Sequence, residues 1–162
     1  MIDGLARLRR DDRLAALLRI GLGALFVYAG ALKVLAPQAM ADDIANYHLL
    51  PGILVPLVAV TVPWIELFAG LALVLGLFGR GAALLVAALL VVFTAALSQA
   101  LLRGIDLACG CFGGAETADG WTVIRDVVLL AVALHVVAFD TGRMGLDRWL
   151  LRRSAGESAL PR

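Results

Sequence analysis

Four long apolar runs alternate with short polar breaks along this chain, and each run is long enough to predict a helix that crosses a bilayer, which takes about 20 residues. The first covers residues 14–36 and is interrupted only by Arg19 near its start and Lys33 near its end. The second covers about 54–78 and carries Pro56, Pro63 and Glu66. The third, 82–102, has no charge at all, and the fourth, about 121–139, carries Arg125, Asp126 and His135. Among the charged residues only Arg19, Lys33, Glu66, Arg125 and Asp126 fall inside the runs. Lipid offers no partner for a bare peptide group, so each run is expected to be α-helical. The predicted fold is all-α, an integral membrane four-transmembrane-helix bundle.

The breaks between the runs have their own pattern. Residues 1–13 form a polar head and 140–162 a polar tail, on either side of a transmembrane domain over 14–139. In the interruption 37–51, Met40, Ile44 and Tyr47 recur at helical spacing, which predicts a short amphipathic helix lying at the interface and ended by Pro51 and Gly52. Pro63 is expected to kink or restart the second helix, because it removes a backbone donor. Gly79-Arg80-Gly81 reads as a tight polar turn. Gly21, Gly23, Gly30, Gly70 and Gly76 read as close-packing positions, and Trp64 and Trp121 as interfacial anchors.

Composition agrees: the chain is 62% hydrophobic and 17% charged with a mean hydropathy of +0.93, against ~45–50% and ~25% in soluble domains. The net charge of +1 says little, but the placement of charge says more. Arginines gather in the head (Arg7, Arg9, Arg10, Arg13), at Arg80, and in the tail (Arg143, Arg148, Arg152, Arg153, Arg162). The positive-inside rule then puts both termini in the cytoplasm of a bacterial cell, the protein being multi-pass in the inner membrane. The amphipathic helix and the loop 103–120 fall on the periplasmic side. The first run exceeds the ~7–15 residues of a signal-peptide core, so it is expected to remain as a span. No basic stripe alternates with aromatics, which leaves no footprint for nucleic acid.

That loop holds the only two cysteines, in Cys109-Gly110-Cys111-Phe112-Gly113-Gly114. An oxidising compartment and a glycine-rich setting point to redox chemistry, in which a thiolate attacks a disulfide. A disulfide across one residue closes a small strained ring, which makes it the more oxidising, and as a staple it would close almost no loop. A metal site is the alternative use of the thiols, with His48 brought from the other external break, but no fourth ligand is apparent. Lys33 and Glu66 form a second constellation. Their helices run in opposite directions and side chains lean toward their helix N-terminus, which favours an ion pair beneath the external breaks. Such a pair either pins two helices together or serves in proton handling or quinone binding. Arg125 is expected to tune the thiolates or to pair with Asp106 or Asp126; Asp126 itself is explained as a charge near a helix start. His135 reads as a helix–helix hydrogen bond. Thr94 and Ser98 share one face of the third span as packing glue or, with Glu66, as the polar lining of a quinone pocket.

Several stretches carry a family resemblance. They are Phe26-Val27-Tyr28-Ala29-Gly30-Ala31-Leu32-Lys33, Asn46-Tyr47-His48-Leu49-Leu50-Pro51, Pro63-Trp64-Ile65-Glu66-Leu67-Phe68-Ala69-Gly70-Leu71, Cys109-Gly110-Cys111-Phe112-Gly113 and Arg125-Asp126. In these the chain resembles the methylamine-utilisation MauE family, within the broader DoxX-like group of small four-helix membrane proteins. The resemblance implies a bundle similar to disulfide-generating vitamin K epoxide reductase, and a part in disulfide formation or maturation of periplasmic enzymes beside a thioredoxin-like partner. Related disulfide oxidases use a C-x-x-C pair and quinone; this chain has C-x-C and no second pair. The expected function is a membrane thiol–disulfide oxidoreductase or its accessory, with Cys109 and Cys111 as the redox pair and Arg125, Glu66 and Lys33 in support. The alternatives are a non-enzymatic assembly factor or subunit, a metal-binding protein and a small-solute transporter; a homo-oligomer is left open.

Overall fold

A computed structural model of the chain describes residues 12–104 and 120–140; Cys109 and Cys111, residues 1–11 of the head and the tail beyond Asp140 lie outside the described residues. The described residues form five helices: α1 Asp12–Leu35, α2 Pro37–Asn46, α3 Val55–Leu75, α4 Gly79–Leu102 and α5 Gly120–Phe139. All but the short α2 are long and apolar enough to cross a membrane. The sides of these long helices are apolar too: Leu17, Tyr28, Leu57, Phe68, Leu84, Val92, Ile124 and Val128 are all exposed, while Arg19, Lys33, Glu66 and Asp126 are buried. A bundle with its charges inside and its apolar side chains outside suits lipid as solvent.

Local sequence explains where the helices begin and end. Pro37 and Pro56 stand in the first turns of α2 and α3, where the missing N–H costs nothing. Gly76, at φ 68°, closes α3, with its N–H on the Leu73 carbonyl at 3.2 Å and the Leu77 N–H on the Ala72 carbonyl at 2.9 Å. This is the Schellman pattern that favours glycine. Phe78 is also left-handed, at φ 49°, so the chain reverses within residues 76–78. The turn expected at Gly79-Arg80-Gly81 therefore lies three residues earlier, and those residues open α4 instead. Pro63 sits inside α3, which runs unbroken from Val55 to Leu75. It gives up one bond to the Ala59 carbonyl, and packing against α1 holds the helix through that gap.

Helix α1 packs most extensively on α3, and α4 on α5. The α1–α3 contact is backbone against backbone. A Cβ on Gly70 would lie 2.7 Å from the Val27 nitrogen and 2.8 Å from the Gly23 oxygen, and one on Gly30 would lie 2.8 Å from the Leu67 nitrogen. Pairing Gly23 with Gly70 and Gly30 with Leu67 makes the two helices antiparallel. Of the glycines expected to pack closely, Gly23, Gly30 and Gly70 do so. Gly21 meets nothing within 4 Å, and Gly76 is the cap. The core beside this seam is Leu22, Phe26, Ala69, Leu73, Ala83, Val86, Leu90, Ala133 and Val136.

Candidate functional site

The last turn of α1 presents Lys33 to Glu66, which sits in the middle of α3. The Lys33 Nζ donates to Oε1 at 2.7 Å and to Oε2 at 2.8 Å, and the side chains are 6% and 2% exposed. The ammonium also lies 5.0 Å from the centroid of the Phe93 ring on α4. On α5, Arg125 donates to Asp126 Oδ1 at 3.3 Å, and Asp126 is only 4% exposed. A cavity of about 30 Å³ has Lys33, Glu66, Phe93, Arg125 and Asp126 on its wall. The two ion pairs thus face one space, drawn from four helices when Phe93 is included.

A larger cavity, about 210 Å³, adjoins Lys33, Phe93 and Asp126 on one side and α2 on the other. Met40, Asp43, Ile44 and Tyr47 line it, so the apolar stripe expected on the short helix faces this cavity. Asp43 titrates above its ordinary 3.8 because burial disfavours its charge and Asp42 adds repulsion; the Lys33 cation pulls the other way. The α4 residues on the cavity wall are Val92, Phe93, Ala96 and Leu97, and neither Thr94 nor Ser98 is among them. The Thr94 hydroxyl is buried and has no hydrogen-bond partner among the described residues. His135 lies against Phe139 on its own helix, with ring centroids 4.7 Å apart, and makes no hydrogen bond to another helix among the described residues. His48 is exposed, at φ 49°, and among the described residues no group of three His, Cys, Asp or Glu side chains could hold a metal.

The opposite end of the bundle carries a pair that sequence reasoning missed. Arg19 on α1 lies 3.6 Å from Asp140, just past α5, and both are buried. Gly79 makes room for them, since a Cβ there would stand 2.8 Å from the Asp140 Oδ2. Next to it the Arg80 Nε donates to the Val137 carbonyl at 2.9 Å, tying the start of α4 to the end of α5. The sequence signal was present: a cation near the start of one span and an anion at the end of another that returns to the same end. Asp126 and Asp43 were also missed as members of the Lys33 site, the first because a local helix-start explanation sufficed for it.

Four membrane-length helices with lipid-suited sides and buried ion pairs define a multi-pass membrane protein. The chain belongs to the MauE family: the family described as "Methylamine utilisation protein MauE" matches residues 11–139, a stretch that includes both ion pairs of the Lys33 site and both cysteines. It is 37% identical over 122 residues to the methylamine utilization protein MauE of Paracoccus denitrificans, a match covering 74% of this chain and 66% of that protein. It is 33% identical over 129 residues to the protein of the same name from Methylophilus methylotrophus, covering 76% of this chain and 68% of the other. The chain thus spans about two thirds of the length of these relatives. No solved structure matches it.

Proposed function

We propose that the protein is a membrane thiol–disulfide oxidoreductase, or the accessory of one, serving a methylamine utilisation system. The observation that carries this reading is the Cys109-Gly110-Cys111 pair in a loop between two membrane spans of a MauE-family chain. In the reading, a disulfide between Cys109 and Cys111 takes two electrons from a client dithiol, directly or through a thioredoxin-like partner, and becomes a dithiol as the client becomes a disulfide. A lipid-soluble quinone then accepts the two electrons and two protons, restoring the disulfide and leaving a quinol. The reading has that acceptor near Glu66, Thr94 and Ser98, of which Glu66 borders the small cavity while neither Thr94 nor Ser98 lines either cavity. Its support is the buried Thr94 hydroxyl, which has no partner among the described residues and could donate to a carbonyl. In sequence the two cysteines fall between α4 and α5, and the start of α5 lies about one and a half turns from the Arg125–Asp126 pair. Arg125 there favours the thiolate form. The positive-inside charge pattern supports a periplasmic placement of this end in a bacterial inner membrane.

Thiol alkylation in intact cells tests the reading. The expected result is a disulfide-bonded wild type, with Cys109→Ser or Cys111→Ser trapping a mixed disulfide to a periplasmic protein. Growth on methylamine is expected to be lost in both single variants. A double variant, Cys109→Ala with Cys111→Ala, that supports growth as well as wild type would remove the redox reading and leave an assembly factor.

A further inference from the structure

The larger cavity is apolar over most of its wall, with Met40, Ile44, Leu50, Val58, Val92 and Leu97 among its residues. Its volume, about 210 Å³, exceeds that of the engineered ~150 Å³ apolar cavity known to admit benzene. A ring-sized body therefore fits. The charged groups on its wall are Lys33, Asp43 and Asp126. Lys33 is already answered by both oxygens of Glu66. Asp126 accepts from Arg125 through Oδ1, whereas the Asp43 side chain makes no hydrogen bond to another described residue. The group of Lys33, Arg125, Glu66, Asp126 and Asp43 thus holds one more carboxylate than cations. A ligand entering this space meets acceptors in excess of donors, beside the aromatic rings of Tyr47 and Phe93, the latter with the Lys33 ammonium 5.0 Å from its centroid. Carboxylates, aromatic faces and apolar walls together recognise an organic cation, because the cation gains from the ring quadrupole and from the anions at once. Anions meet repulsion in the same space, and a neutral carbonyl compound leaves the surplus carboxylate unanswered.

We propose that this cavity binds a protonated amine carried on a ring-sized apolar body, with Asp43 and Asp126 as its counter-charges and Phe93 and Tyr47 as its aromatic walls. The site is separate from the thiol chemistry and does not require it.

Equilibrium dialysis of the full-length protein in lipid nanodiscs tests this with three probes of one shape: 3-phenylpropylammonium, 3-phenylpropanol and 3-phenylpropionate. The ammonium is expected to bind at least about tenfold more tightly than the alcohol, a ratio within reach of a desolvated cation–aromatic contact, and the carboxylate is expected not to bind. Asp43→Asn is expected to weaken the ammonium several-fold while leaving the alcohol unchanged. Ala96→Phe, which fills the cavity from α4, is expected to abolish binding of both. A variant lacking both cysteines is expected to bind the ammonium as wild type does. Equal binding of ammonium and alcohol, tighter binding of a quinone such as menadione, or ammonium binding unaltered by Asp43→Asn would each overturn the proposal.

Discussion

Lys33 holds both carboxylate oxygens of Glu66, at 2.7 and 2.8 Å, from a helix that runs antiparallel to its partner and touches it backbone to backbone. Neither charge has another counter-ion at hydrogen-bond distance among the described residues. Removing one partner leaves a bare charge inside the bundle, which typically costs about 3–5 kcal/mol, whereas replacing both with apolar residues is often close to neutral. Glu66→Ala is therefore expected to lower the unfolding midpoint strongly in nanodiscs, and Lys33→Met with Glu66→Leu to recover most of the loss. Thiol-exchange activity of that stable double variant then separates a fastener from a group that takes part in chemistry.

The α1–α3 seam predicts opposite results for two glycines on the same pair of helices. Gly70→Ala drives a methyl into the Val27 nitrogen and the Gly23 oxygen, which are backbone atoms with nowhere to go. It is expected to be destabilising, on the scale of about 1–3 kcal/mol for overpacking. Gly21→Ala meets nothing within 4 Å and is expected to be neutral or to stabilise by up to about 1 kcal/mol through helix propensity. Thermal unfolding of the two variants side by side checks the contrast.

Asp43 gives a pH dependence of definite sign. Its carboxyl titrates above the ordinary 3.8, first through burial and then through Asp42, with Lys33 opposing. Between 3.8 and the raised value the folded protein binds more protons than the unfolded chain, so stability rises as pH falls through that window. Asp43→Asn removes the contribution. The variant is expected to be more stable than wild type at neutral pH, and the gap between them to close as pH is lowered toward 4. Unfolding midpoints of both proteins across that range are the measurement.

The spans and the Lys33–Glu66 pair could be read from the sequence for one reason: a charge inside an apolar run has few places to go. Two such charges on oppositely directed helices have fewer still. Asp126 was harder, because a local account based on the helix dipole was sufficient and gave no reason to look for Lys33 across the bundle. Asp43 stands on an amphipathic helix, where an acid is expected to face water; what lies against α2 depends on how α3 and α4 approach it. Gly21 and Gly23 differ by two positions and so by more than half a turn. Composition cannot say which of them meets α3. The turn at residues 76–78 was misplaced because Gly79 and Gly81 look like turn glycines, whereas Gly79 is small to accommodate Asp140 and Phe78 takes the left-handed conformation itself.

The Arg19–Asp140 pair also sets a timetable for biogenesis. Translation delivers α1 to the bilayer first, with Arg19 and Lys33 both inside it and neither Asp140 nor Glu66 yet made. Glu66 meets Lys33 when α3 arrives, but the Arg19–Asp140 contact waits until the ribosome has finished α5 and Asp140 follows it. Until Asp140 is made this contact cannot form, so the first span is not fixed at this end until the last one is complete.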